Sequence, residues 1–386
     1  MSAVSGLVGS VGGFLFFFLS FLFVLTVVVF FHELGHFLVA RWCGVKVKAF
    51  SIGFGREICG LTDRRGTRWR LAWIPLGGYV KFMDDENAAS VPSQEALQRM
   101  TPEERAGSFH GKPLWQRAAV VAAGPIANFL LSIAIFATMF ALLGVTTMEP
   151  RVGKVLPDSP AAAAGFRPGD LVLSIDGREI QDFGELQYIV SQSPGRALTF
   201  VVDRAGSRLT IKAAPELREH EDRIAGKHKR AMIGIQGSGE TSRVTHTRVG
   251  PGQAFTMGVQ KTWDIAAGTL AYLGDVVTGR QTAEQVGGVI RIADASGQVA
   301  KLGPEYVVQF IAVISVSIGL INLFPIPLLD GGHLLFYGIE ALRRKPLSER
   351  TQEIGFRIGL AVVLMLLVFA TWNDRLIVRR WLTGNG

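Results

Sequence analysis

The sequence predicts a polytopic α-helical membrane protein with four transmembrane helices, a β-hairpin loop after the first, and a β-rich domain outside the membrane between the second and third. Three observations lead there. Only 19% of the 386 residues are charged, 48% are hydrophobic, and the mean hydropathy of +0.31 is high for a soluble enzyme. Four long stretches carry no charge. Between the second and third of them runs a polar segment of short β-rich pieces cut by Gly and Pro turns.

The first stretch, Phe14 to Phe31, is broken only by Ser20 and Thr26, and its apolar pattern continues past His36 to Ala40. That length crosses a bilayer. A cleaved signal peptide would show a basic region before it and a small-residue site after it; both are missing, so the segment reads as a retained span. The second stretch is Ala118 to Val145 and the third Tyr306 to Leu329. The fourth, Ile358 to Trp372, is short and lies between Arg357 and Asp374, whose side chains can snorkel.

Four spans leave both termini on one side. The loop Arg41 to Arg117 carries Arg64, Arg65, Arg68 and Arg70, and the loop after the third span carries Arg343, Arg344 and Lys345. The positive-inside rule puts both loops in the cytoplasm and the termini outside, against the opposing vote of Arg375, Arg379 and Arg380. The net charge of +8 is spread over loops, which suits orientation and anionic lipid, and no nucleic-acid-binding motif accompanies it. Cys43 and Cys59 lack CxxC spacing and read as free thiols rather than a disulfide or zinc knuckle.

The segment 146 to 305 then lies outside the cytoplasm. Strands are expected at RVGKV, DLVLSIDG, ALTFVVD and RLTIKAA, within Arg151 to Pro215. Apolar residues at Phe255, Val259, Trp263, Ala266, Leu270, Leu273 and Val277 predict an amphipathic helix. Lying on the membrane surface and packing on a neighbouring domain fit that helix equally well. The expected division is 1–145 (first membrane half), 146–240 (β-rich domain), 241–305 (amphipathic linker region) and 306–386 (second membrane half).

Chemistry concentrates at His32-Glu33-Leu34-Gly35-His36. On a helix, positions i and i+4 share a face, so both imidazoles reach one zinc ion and Glu33 projects beside them as a general base for an activated water. Two hydrogen-bonded core histidines would be the bland alternative, but three ionisable groups in five positions of an apolar span are costly without a function. A hydrolytic zinc site needs a third protein ligand and an open position. Asp330, in NLFPIPLLDGGH at Asn322 to His333, ends the third span on the same side as the His pair ends the first. His333 is a weaker rival, and a water-facing helix end is the bland reading of Asp330. Pro325 and Pro327 interrupt the third helix and Gly331 and Gly332 loosen its end; broken helices at membrane depth line cavities or lie buried in protein.

In this combination the chain resembles the site-2 protease family, the RseP-type bacterial intramembrane zinc metalloproteases. FHELGH in the first span and NLFPIPLLDGGH in the third carry the resemblance, with AAGPIAN at Ala122 to Asn128 and GFG at Gly53 to Gly55. VGKVLPDSPAAAAGFRPGDLVLSIDG, at Val152 to Gly177, resembles PDZ domains of periplasmic proteases. The best-known members carry two PDZ domains in tandem; here one copy is clear, and residues 216 to 254 are too short for a second. The resemblance implies that His32, His36 and Asp330 bind Zn2+, that Glu33 is catalytic, and that Asn322 lies by the site and holds substrate backbone. It implies an inner-membrane enzyme with a periplasmic PDZ domain. The substrates implied are single-span membrane proteins, such as an anti-sigma factor trimmed by a site-1 protease, with a peptide or substrate segment at the PDZ domain.

The loop Thr67 to Phe82 alternates like a strand around Pro75 and Gly77-Gly78. It is either an ordinary cytoplasmic hairpin or a membrane-associated edge strand that holds an extended substrate, and the resemblance favours the second. Gly53, Gly55, Gly77, Gly78, Asn322, Pro325 and Pro327 are therefore the expected substrate-binding positions. A membrane scaffold using its PDZ domain leaves HExxH and Asp330 unexplained, and a transporter with a broken third helix leaves the zinc spacing unexplained.

Overall fold

The structure, a computed structural model, describes residues 2–84, 100–222, 226–237, 244–280, 283, 287–375 and 377. In chain order the elements are α1 (Ser2–Trp42), β1 (Val47–Thr62), β2 (Arg68–Phe82), α2 (Pro102–Gly107), α3 (Leu114–Leu143), β3 (Val145–Met148), β4 (Val152–Val155), α4 (Pro160–Ala164), β5 (Leu171–Ile175), β6 (Arg178–Glu179), α5 (Phe183–Ser191), β7 (Leu198–Arg204) and β8 (Ser207–Ala213). There follow β9 (Glu216–Asp222), β10 (Gly226–Met232), β11 (Ile235–Gly237), β12 (Val244–Thr247), α6 (Pro251–Val277), α7 (Val289–Leu302), α8 (Pro304–Asn322), α9 (Asp330–Arg343) and α10 (Glu349–Asn373). They form two compact units, one of Met1–Ala137 with Phe255–Gly386, the other Thr138–Ala254.

In the first unit, α1, α3, α8 and α10 are long and apolar enough to cross a membrane. Val24 and Val28 of α1 pack on Ile311 and Ile314 of α8. Helix α1 stops at Gly44, whose φ of +73° lets Val45 N–H reach back to the Ala40 carbonyl. Strand β1 then pairs along β2, and both bend, so Ser51 faces Tyr79 on one side and Arg70 on the other. In this two-stranded sheet residues 78–82 consequently pair with residues 47–52 of β1. Asp63 closes the turn between the strands. Burial pushes its carboxyl up, but the Thr67 and Arg65 amides, the Trp69 indole and Arg41 outweigh that and hold it at about 2. Phe37 and Phe50, fully buried, anchor this sheet to α1.

The second unit is β-rich. Its largest sheet has the order β6-β5-β7-β8, with two-stranded pairs β4–β11, β3–β12 and β9–β10. The core holds Val152, Val172, Ile175, Leu186, Leu198, Phe200, Val202 and Ile233. Ser159 and Asp182 cap α4 and α5. Asp170, wholly buried, takes two 2.7 Å hydrogen bonds from the Arg204 guanidinium, a bidentate pair that ties the turn before β5 to the end of β7.

Several sequence expectations are corrected here. The fourth span is not short: Ser348 caps α10 through the Thr351 amide and the helix runs 25 residues, because its polar first turns are helical too. The third span is shorter than Tyr306 to Leu329. Helix α8 stops at Asn322, and Asp330 opens α9 rather than ending a helix, because proline at 325 and 327 cannot continue the hydrogen-bond ladder. The compact β-rich unit runs Thr138–Ala254, with β12 paired back onto β3. Strand β12 belongs to the second unit, and most of α6 and all of α7 to the first. The 240/241 boundary itself, and Arg379 and Arg380, lie outside the described residues.

Candidate metal centre

His32 and His36 sit one turn apart on α1, and Asp330 enters from the first turn of α9. The two Nε2 atoms are 3.2 Å apart, and Asp330 Oδ2 lies 3.2 Å from that of His32 and 3.5 Å from that of His36. A tetrahedral zinc with ligands at about 2.0–2.1 Å has ligand–ligand edges of about 3.3–3.4 Å, so this triangle is the size of one face of such a site. Asp330 Oδ2 is buried with no hydrogen-bond donor, an orphaned anionic oxygen facing two ring nitrogens. Two imidazoles and a carboxylate suit zinc, and three protein ligands leave a position free for chemistry. Among the described residues this is the sole such cluster of His, Cys, Asp and Glu.

The rings are aimed by α3. His36 donates its Nδ1–H to the Val120 carbonyl at 2.9 Å, which can only accept, so Nε2 carries the lone pair that faces the triangle. Asn128 places its side-chain amide 3.3 Å from His32 Nδ1. Both contacts need α3 close against α1, and glycine supplies the room. A Cβ at Gly35 would strike the Ala123 carbonyl, and one at Gly124 would strike the His36 ring.

Glu33, next to His32 on α1, packs against β2. A Cβ on Gly78 would lie 2.9 Å from Glu33 Cγ, so the edge segment 78–82 runs over the carboxylate, with the Val80 main chain beside it. Of the glycines expected to bind substrate, Gly78 alone is seen against the site. Gly53, at φ +87°, lies under the Ile74 carbonyl, and Gly77 lies under the Phe54 ring, both serving the sheet itself. Gly55 is at φ +88°, with the tip of the Ile74 side chain 4.0 Å from where a Cβ would lie. Asn322 is the last residue of α8 and half-buried, with Pro325 and Pro327 in the segment between it and Asp330. His333 packs at a tilt against Phe356, with ring centroids 5.4 Å apart, and stands outside the triangle.

Sequence reasoning missed the parts played by Val120, Gly124 and Asn128. The last two fall within AAGPIAN, quoted as a resemblance without a role, although an uncharged span with a lone asparagine is a detectable signal.

Residues 20–366 match the family described as Peptidase family M50. A relative from Rhizobium meliloti, carried under the name of a zinc metalloprotease, is 50% identical over 95% of this chain and 96% of its own. Metalloprotease MmpA of Caulobacter vibrioides is 42% identical over 94% of this chain and 96% of its own. Among solved structures, the PDZ domain of an SdrC-like protein from Listeria monocytogenes is 20% identical, covering 23% of this chain and 87% of its own at a TM-score of 0.19. Nine-tenths of the chain in one family match, with relatives alike from end to end, makes this protein a zinc metalloprotease of peptidase family M50.

Proposed function

We propose that the protein hydrolyses peptide bonds within or near transmembrane segments of single-span membrane proteins, with His32, His36 and Asp330 holding zinc and Glu33 as general base. The observation that carries this reading is the triangle of 3.2, 3.2 and 3.5 Å beside a glutamate, built on a helix apolar enough to span a membrane. Zinc held there supplies a Lewis acid that polarises the scissile carbonyl and makes hydroxide available near neutral pH. The Glu33 carboxylate takes the proton from the attacking water and returns it to the leaving amine nitrogen. The sheet edge at residues 78–81, beside Glu33, supports substrate capture by strand addition, which presents an extended backbone. A transmembrane helix hides its carbonyls in its own hydrogen bonds, so substrates with helix-weakening residues near the cut are preferred.

The basic loops support an inner-membrane orientation with the site near the cytoplasmic side and the β-rich unit, read as a PDZ-like domain, in the periplasm. That domain would take a peptide or substrate segment, and an anti-sigma factor already trimmed outside the membrane is the substrate class that the family resemblance suggests. Gly53, Gly55, Gly77, Asn322, Pro325 and Pro327 are proposed to shape the substrate path.

The test is cleavage of a single-span model substrate by purified protein, with bound zinc counted. Glu33→Gln is expected to keep zinc and lose cleavage by about 10²-fold or more. Asp330→Asn is expected to weaken zinc retention. Undiminished cleavage by either variant overturns the reading.

A further inference from the structure

We infer that Asn128 is the positioning residue that sets the tautomer of His32, through its side-chain oxygen, and so makes that imidazole a metal ligand. The inference rests on His32 being a ligand and goes beyond it to the residue that prepares it.

Asn128 is wholly buried in α3, and its side-chain amide is 3.3 Å from His32 Nδ1. It is held in place from the third span. Ser315 Oγ donates to the Asn128 main-chain carbonyl at 2.9 Å, and a Cβ on Gly319 would come within 3.1 Å of Asn128 Cβ. In the structure Nδ2 faces the ring and Oδ1 is buried with no donor. An amide has the same shape either way round, and its orientation is decided by what it faces. With Nδ2 toward the ring, Nδ1 must accept, the proton moves to Nε2, and the lone pair needed in the triangle is lost. With Oδ1 toward the ring, Nδ1–H donates and Nε2 is free, the same state that the Val120 carbonyl imposes on His36. One histidine is thus prepared by a main-chain carbonyl, which no substitution removes, and the other by a side chain.

The test uses the full chain in detergent and reads the zinc dissociation constant by competition with a fluorescent chelator. Asn128→Leu, similar in size without an acceptor, is expected to weaken zinc by about 10–100-fold. Asn128→Asp, whose carboxylate accepts from Nδ1–H, is expected to restore native binding; a merely structural asparagine would give no such split. If Asn128→Leu fails to fold, Asn128→Ala against Asn128→Asp makes the same comparison. Native zinc binding by Asn128→Leu or Asn128→Ala, while His32→Ala loses zinc, overturns this inference alone. Native binding by His32→Ala as well overturns the ligand set with it, and equal loss in the Leu and Asp variants assigns Asn128 a structural role only.

Discussion

At the scale of residues, the centre depends on side chains that are absent as much as on those present. His32, Glu33, His36 and Asp330 could be found in the sequence because ionisable groups in apolar spans stand out against their surroundings. Gly124 could not: a glycine among alanines in a span has many readings, and only the crossing of α1 and α3 shows that a Cβ there would enter the space of the His36 ring. Gly124→Ala is therefore expected to lower zinc occupancy and reduce cleavage by about tenfold, the size of a core overpacking penalty. Metal analysis beside a cleavage assay checks this, and a fully loaded, fully active variant would refute it.

At the scale of elements, the segment between α8 and α9 is what delivers Asp330. Leu328 is held at φ +117°, a conformation that a leucine adopts only under constraint. The constraint comes from close packing on glycines. A Cβ on Gly331 would strike the carbonyls of Leu323 and Phe324, one on Gly332 would strike Ile326, and one on Gly359 of α10 would strike the Pro327 carbonyl. Helix α10 is thus a seat for the proline segment, although no residue of it belongs to the triangle. Gly359→Ala is expected to destabilise the fold by about 1–3 kcal/mol and to weaken zinc binding by shifting Asp330. Gly338→Ala in α9, where nothing lies within 4 Å, is the control expected to change neither. Thermal unfolding and zinc titration of the two variants together make the comparison; equal behaviour would count against the seat. The prolines announced a break in the helix, but not that a new helix begins at Asp330, because that depends on what cradles the loop.

At the scale of the whole molecule, the two compact units have separate cores, one of residues such as Val172, Phe200 and Val202 and another built on the membrane helices. Phe200→Ala is expected to cost about 3–5 kcal/mol in the unfolding of the β-rich unit and to leave zinc binding untouched. Calorimetry with metal analysis checks this, and loss of zinc in that variant would show the cores to be coupled. The sequence by itself determined the membrane class, the number of spans and the β-rich insertion, and pointed to the four ionisable residues proposed for the centre, because hydropathy, periodicity and i,i+4 spacing are local and survive without a fold. The tertiary structure alone decided which main-chain and amide groups aim the imidazoles, which glycines admit them, and how Asp330 arrives from a fresh helix start. Those depend on contacts between α1, α3, α8, α9 and α10, residues far apart in the chain, whose closeness no local pattern encodes.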